Sequence, residues 1–117
     1  MGETKFINLD YLENMTGGSK ELVKELVDIF ISQIPEFTTE MKQLLSEKKY
    51  ESLGMIAHKA KSSVAIMGME ELAKDLKEFE LFTREKKNID QYSSYIEKFE
   101  TSCNKAISEL KSIITGL

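Results

Sequence analysis

Apolar residues recur along most of this chain at steps of three and four, the spacing that places them on one face of an α-helix. Val23, Leu26, Phe30, Ile34, Phe37, Met41 and Leu44 form the longest early stripe and predict a helix over 19–46. Ser19 is a good N-cap for it, and Glu21 suits the positive end of its dipole. Pro35 lies inside the stripe and removes one backbone hydrogen bond. The stripe keeps its phase across Pro35, so a kink is expected there and not a break. The Gly17-Gly18 pair sets off a short opening helix over 8–16 that carries Leu9, Tyr11, Leu12 and Met15.

Beyond the polar Glu47-Lys48-Lys49 turn, Tyr50, Leu53, Ala57, Ala60, Val64 and Met67 predict a helix over 49–67. Gly68 is placed to end it as the residue just past the C-terminus. Leu72, Leu76, Phe79 and Phe82 define the next helix, over 69–86, and Asn88 is read as the cap of the last, over 89–115. That last series runs Ile89, Tyr92, Ile96, Phe99, Cys103, Ala106, Leu110, Ile113, Leu117, a heptad seam. No segment alternates with the period of a half-buried strand. The expected fold is all-α, an antiparallel four-helix bundle with a short extra N-terminal helix. The seam would also suit a coiled-coil dimer. Three other amphipathic helices need a partner, however, which favours one more wall of an intramolecular bundle and a monomer.

Composition narrows the function. At 117 residues, 41% hydrophobic and 31% charged, the chain fits a single folded domain over 1–117. A formal net charge of −4 argues against nucleic-acid binding, which needs surplus Lys and Arg. One cysteine, Cys103, and one histidine exclude an internal disulfide and a zinc site. There is no apolar run for a signal peptide or a membrane span. Phe6 stands where a myristoylation motif wants Ser or Thr. A cytoplasmic location is expected, and the Met1 start suggests a free-standing chain.

The histidine is His58. With about 100° of rotation per residue, it sits one step off the seam made by Ala57 and Ala60, on the flank of the bundle. Its helical neighbours are Gly54, Met55, Lys61 and Ser62. The small Gly54 and Ser62 would leave the imidazole edge open to a docking surface, while Lys59 and Lys61 make a local anion-attracting spot. Phosphoryl transfer asks a protein for this: position the group and neutralise its charge. A neutral imidazole Nε2 is a competent nucleophile. On helix geometry alone the plainer reading prevails, because a lone surface histidine beside lysines is more often a solvated residue.

The segment His58-Lys59-Ala60-Lys61-Ser62-Ser63-Val64-Ala65-Ile66-Met67-Gly68 resembles the signature of the histidine-containing phosphotransfer (HPt) domain of bacterial-type phosphorelays. That signature has the phosphorylated His, a Lys three on, a small residue, usually Gly, four on, a Ser five on and a Gly ten on. Here His58, Lys61, Ser62, Ser63 and Gly68 fill those positions. Leu72, Leu76 and Glu80 fall where the family has two leucines and an acidic residue. Leu9 to Gly18, Phe30 to Pro35 and the helix order extend the likeness over nearly the whole chain. Ser62 in place of the usual Gly is the one departure that stands out.

The resemblance implies a phosphoryl carrier and not an enzyme with its own kinase or phosphatase domain. His58 Nε2 would carry the group between aspartates of response-regulator receiver domains, with a hybrid histidine kinase upstream. No cofactor would belong to this chain, because the receiver brings the Mg²⁺. Lys61 would stabilise the phosphoryl charge and Ser62 would keep the site open. Ser63 has two readings of similar weight, at the site or in helix packing, and Gly68 fits a helix end better than a phosphate contact. Glu80 would either hold the Nδ1–H tautomer of His58 or stand as an exposed carboxylate. Arg84 would flank the site. The partner surface is expected at Gly54, Met55, Lys59 and Ile66, with Ile7 and Leu12 as further candidates from the opening helix.

Two other functions compete. One is an adaptor, the same bundle binding receivers or other signalling proteins without phosphorylation, for which Ser62 is the only support. The other is a hydrolase using His58 as a base. It lacks a nucleophile–base unit, since a Ser62–His58 pair on a helix surface has no oxyanion hole. No phosphate-cradling Gly-rich loop is present, and the chain is too short for an ATP-binding domain.

Overall fold

The computed structural model describes residues 9–115, with side chains over 10–112. It contains α1 (Leu9–Met15), α2 (Lys20–Ser46), α3 (Tyr50–Ile66), α4 (Glu70–Glu85) and α5 (Tyr92–Thr115), with a 3₁₀ turn at Ile89–Gln91. No strand occurs among the described residues. α3 packs against α4 and α2, and α5 closes the ring against α2 and α4. The fold is an all-α helical bundle. Its long dimension of 43 Å is close to the length of the 27-residue α2.

α2 begins as its sequence dictates: Ser19 Oγ accepts from the Leu22 amide at 3.3 Å. The helix runs unbroken through Pro35, whose neighbours Ile34 and Thr38 are both buried. The buried line is Val23, Val27, Phe30, Ile34, Thr38 and Met41, so its centre lies slightly to one side of the predicted stripe. Leu26, Phe37 and Leu44 are only half-buried at its edge. Thr38 is accommodated because its hydroxyl donates to the Ile34 carbonyl at 2.9 Å.

Gly68 ends α3 as expected. Its φ is +75°, its amide donates to Ala65 O at 3.0 Å, and the Met69 amide reaches back to Val64 O at 3.0 Å. The start of the last helix differs from the prediction. Asn88 adopts φ +55° and makes no side-chain cap, the 3₁₀ turn intervenes, and Ile89 is exposed. A left-handed residue points the chain away from the helix axis, so the seam starts at Tyr92. From there Tyr92, Ile96, Phe99, Cys103, Ala106 and Leu110 are all buried inside the chain's own bundle. Ile113 and Leu117 lie outside the described side chains.

Aromatic packing sets the rotation of α4. Phe79 is fully buried, stacks on Tyr95 (centroids 5.0 Å apart, planes at 6°) and meets Tyr92 edge-on at 5.4 Å. The Tyr92 hydroxyl donates to Phe82 O at 2.7 Å, tying α5 to α4. With Phe79 locked inward, the next residue, Glu80, is turned about 100° around the helix, toward α3.

Candidate functional site

His58 lies in the middle of α3, flanked by the fully buried Ala57 and the exposed Lys59. Its side chain is 58% exposed, and Nδ1 is 3.1 Å from Glu80 Oε1. Glu80 is only 13% exposed. An ionised carboxylate cannot donate, so the ring presents Nδ1–H to it, and whenever the ring is neutral this leaves the Nε2 lone pair free. Nε2 has no hydrogen-bond partner among the described residues.

Glu80 gathers more than the imidazole. Its Oε1 also lies 3.5 Å from Lys61 Nζ, and its Oε2 accepts from Arg84 Nη2 at 2.9 Å, an i, i+4 pair within α4. Burial pushes the Glu80 carboxyl upward, but the hydrogen bond and charge of His58 and the ammonium of Lys61 outweigh it, leaving it below the ordinary carboxylate range. The carboxylate therefore stays ionised and holds three nitrogen groups at one point of the α3–α4 seam. Lys61, 27% exposed, is half-sheltered there.

The remaining site residues separate into two groups. Met55 and Ile66 are exposed on the His58 side of the seam, and Lys59 lines an open groove with Met55, Glu51 and Arg84. Ser62 is exposed one turn beyond His58, its hydroxyl 3.5 Å from the His58 carbonyl. Ser63 turns instead to α2, where its hydroxyl donates to Gln33 Oε1 at 2.9 Å, so it links helices.

Two expectations about the partner surface are corrected. Gly54 offers little surface of its own: it is buried where α3 meets Thr83 of α4, at the floor of the groove beside His58. Leu12 has no exposed surface, because it is the residue that plugs α1 into the core. Ile7 lies outside the described residues. Gln33 and Thr83 escaped the sequence reading. Thr83 falls three residues after Glu80 and so shares its face, but only helix packing makes that face an inner one.

The family model described as the Hpt domain matches residues 25–114. The chain belongs to the Hpt domain family. Neither a curated protein nor a solved structure matches it. Membership makes residues 25–114 a histidine phosphotransfer domain of the kind that serves phosphorelays, and such a domain is a phosphocarrier and not a kinase or phosphatase. Hpt domains interact with kinases and receiver domains. Among the described residues no helix is long and apolar enough to cross a membrane.

Proposed function

We propose that His58 is the phosphoryl-accepting residue of this Hpt domain and relays the group between receiver-domain aspartates, downstream of a hybrid histidine kinase. The observation that carries this reading is the Nδ1–Glu80 hydrogen bond at 3.1 Å on an otherwise exposed imidazole. The Nε2 lone pair attacks the phosphorus of an aspartyl phosphate; the N–P bond forms as the P–O bond to the aspartate breaks, and the carboxylate leaves. Nδ1–H keeps its proton throughout. The ring then carries positive charge, which the ionised Glu80 balances. Transfer onward is the reverse reaction at a second receiver aspartate.

Lys61 supports the charge on the phosphoryl oxygens once its ammonium leaves Glu80 Oε1, and Arg84 keeps the carboxylate partnered when it does. Ser62 keeps the approach open while offering a hydroxyl. The docking surface combines Met55, Lys59 and Ile66 around the imidazole. The chain supplies no cofactor, the Mg²⁺ residing on the receiver, and the whole chain acts as one cytoplasmic, monomeric domain.

Incubation with a ³²P-labelled phospho-receiver tests the reading. The expected result is label on this chain that survives alkali, is lost in acid, and is absent from His58→Gln. Measurable receiver binding with no label from any receiver would leave only the adaptor function.

A further inference from the structure

Gly54 and Thr83 meet one helical turn away from His58 and Glu80 respectively. Gly54 precedes His58 by four residues on α3, and Thr83 follows Glu80 by three on α4. Thr83 has no exposed surface, and its hydroxyl donates to the Glu80 carbonyl at 2.7 Å, which fixes its rotamer. A Cβ on residue 54 would press into Thr83 Oγ1 and would lie 3.4 Å from Thr83 Cβ and 3.7 Å from the Glu80 carbonyl oxygen. Glycine is otherwise a poor choice in mid-helix. Its presence where α3 packs on Thr83 of α4 has a geometric reason.

We infer that the Gly54–Thr83 contact is a pivot that permits the close spacing of α3 and α4 at the height of the site, making Gly54 a positioning residue for the His58–Glu80 hydrogen bond. The bond needs that spacing because it joins the two helices at 3.1 Å, already near the long end of a normal N–H···O distance. A separation of a few tenths of an ångström breaks it. The Arg84–Glu80 pair, by contrast, lies within α4 and moves as a unit. A side chain at position 54 therefore hands Glu80 to Arg84 and releases Nδ1, letting the ring adopt the tautomer in which Nε2 carries the proton and cannot attack. The consequence for transfer rests on the phosphoryl-carrier reading; the consequence for the imidazole does not.

The test compares wild type, Gly54→Ala, Thr83→Ala and the double variant by imidazole ¹⁵N chemical shifts at alkaline pH, where a histidine ring is neutral. His58 is the only histidine, so each protein gives one set of ring signals. Wild type and Thr83→Ala show the Nδ1–H tautomer. Gly54→Ala loses that preference, and the double variant regains it because the obstructing hydroxyl and methyl are gone. With a phospho-receiver as donor, Gly54→Ala transfers roughly 10- to 100-fold more slowly, the scale expected of a misplaced reacting group, and the double variant recovers. An unchanged tautomer in Gly54→Ala, or no recovery in the double variant, overturns the pivot. Thermal unfolding of each protein separates lost packing from lost positioning. Should Gly54→Ala not fold, Thr83→Val brings a bulkier methyl against Gly54 and must shift the tautomer the same way; an unchanged tautomer there also overturns it. Failure of every protein, wild type included, to accept phosphate removes the carrier reading and leaves the tautomer pattern to decide the pivot.

Discussion

Glu80 is the residue on which the site turns. A carboxylate with so little exposed surface is costly unless its oxygens are satisfied, and here the imidazole, an ammonium and a guanidinium share them. Its folded-state pKa lies below the ordinary carboxylate value of 4.5, so its contribution to stability is present above that unfolded value and is lost as pH falls through the lower folded one. Glu80→Gln should therefore lower stability by about 1 kcal/mol at neutral pH, since a hydrogen bond to a charged group is removed from a partly sheltered place. The gap between variant and wild type should close as pH falls through that lowered folded value. Urea unfolding across pH 3 to 8 checks this, and a gap that stays constant would show that the charge of Glu80 contributes nothing. Cys103, by contrast, is fully buried with its thiol pushed up to about 12 by that burial, which makes it an inert core residue.

At the scale of elements, the site is assembled by where helices end and how they rotate. Gly68 fixes the turn between α3 and α4 with its φ of +75°. Gly68→Ala should lower stability by about 1 kcal/mol, the cost of placing an L-residue in the left-handed region. Phosphate acceptance per folded molecule should stay unchanged; a specific loss of labelling in a protein of normal stability would make Gly68 part of the site. The turn allows α4 to run back alongside α3, and the Phe79–Tyr92–Tyr95 cluster sets its rotation. Ser63–Gln33 does the same for α2 against α3 and gives their register. In an antiparallel pair, residues one turn after Ser63 stand level with residues one turn before Gln33, which puts Ile66 and Ile29 at the same height of the bundle.

At the scale of the whole molecule, those last two residues matter because both are exposed. Ile66 lies two turns along α3 from His58, and Met55, 65% exposed, lies on the other side of it. An acidic protein that shows apolar side chains on both sides of an exposed imidazole has a surface suited to a partner that buries them. Ile66→Asp should weaken receiver binding about tenfold, as expected for an apolar contact replaced by a desolvated charge. It should leave the His58 tautomer untouched. Calorimetric titration with a receiver measures the first and ¹⁵N shifts the second; undiminished affinity would move the interface away from Ile66. The ion pairs Lys42–Glu100 and Lys98–Asp75 link neighbouring helices on the outside of the bundle, where such pairs add little to stability.

The helices, their order and the candidate histidine are legible in the chain alone, because these depend on local periodicity and on short-range signals. Ser19, Gly68 and the Tyr92-to-Leu110 seam behave as their positions dictate, and the His58 segment carries a signature within one helix. Local signals misled where they had a distant competitor: Asn88 looked like a cap but takes a left-handed turn, and Leu12 looked available but fills the core. The rest is settled by contacts between helices. Glu80 had two equal readings until α4 was rotated by its aromatic residues, and Ser63 until Gln33 stood opposite it. Gly54, small and near the imidazole, suggested an open approach; in three dimensions it is covered by Thr83. The physical reason is the same each time. A helix face becomes inner or outer, and a hydrogen bond forms or does not, according to a neighbour that lies 20 to 30 residues away in sequence.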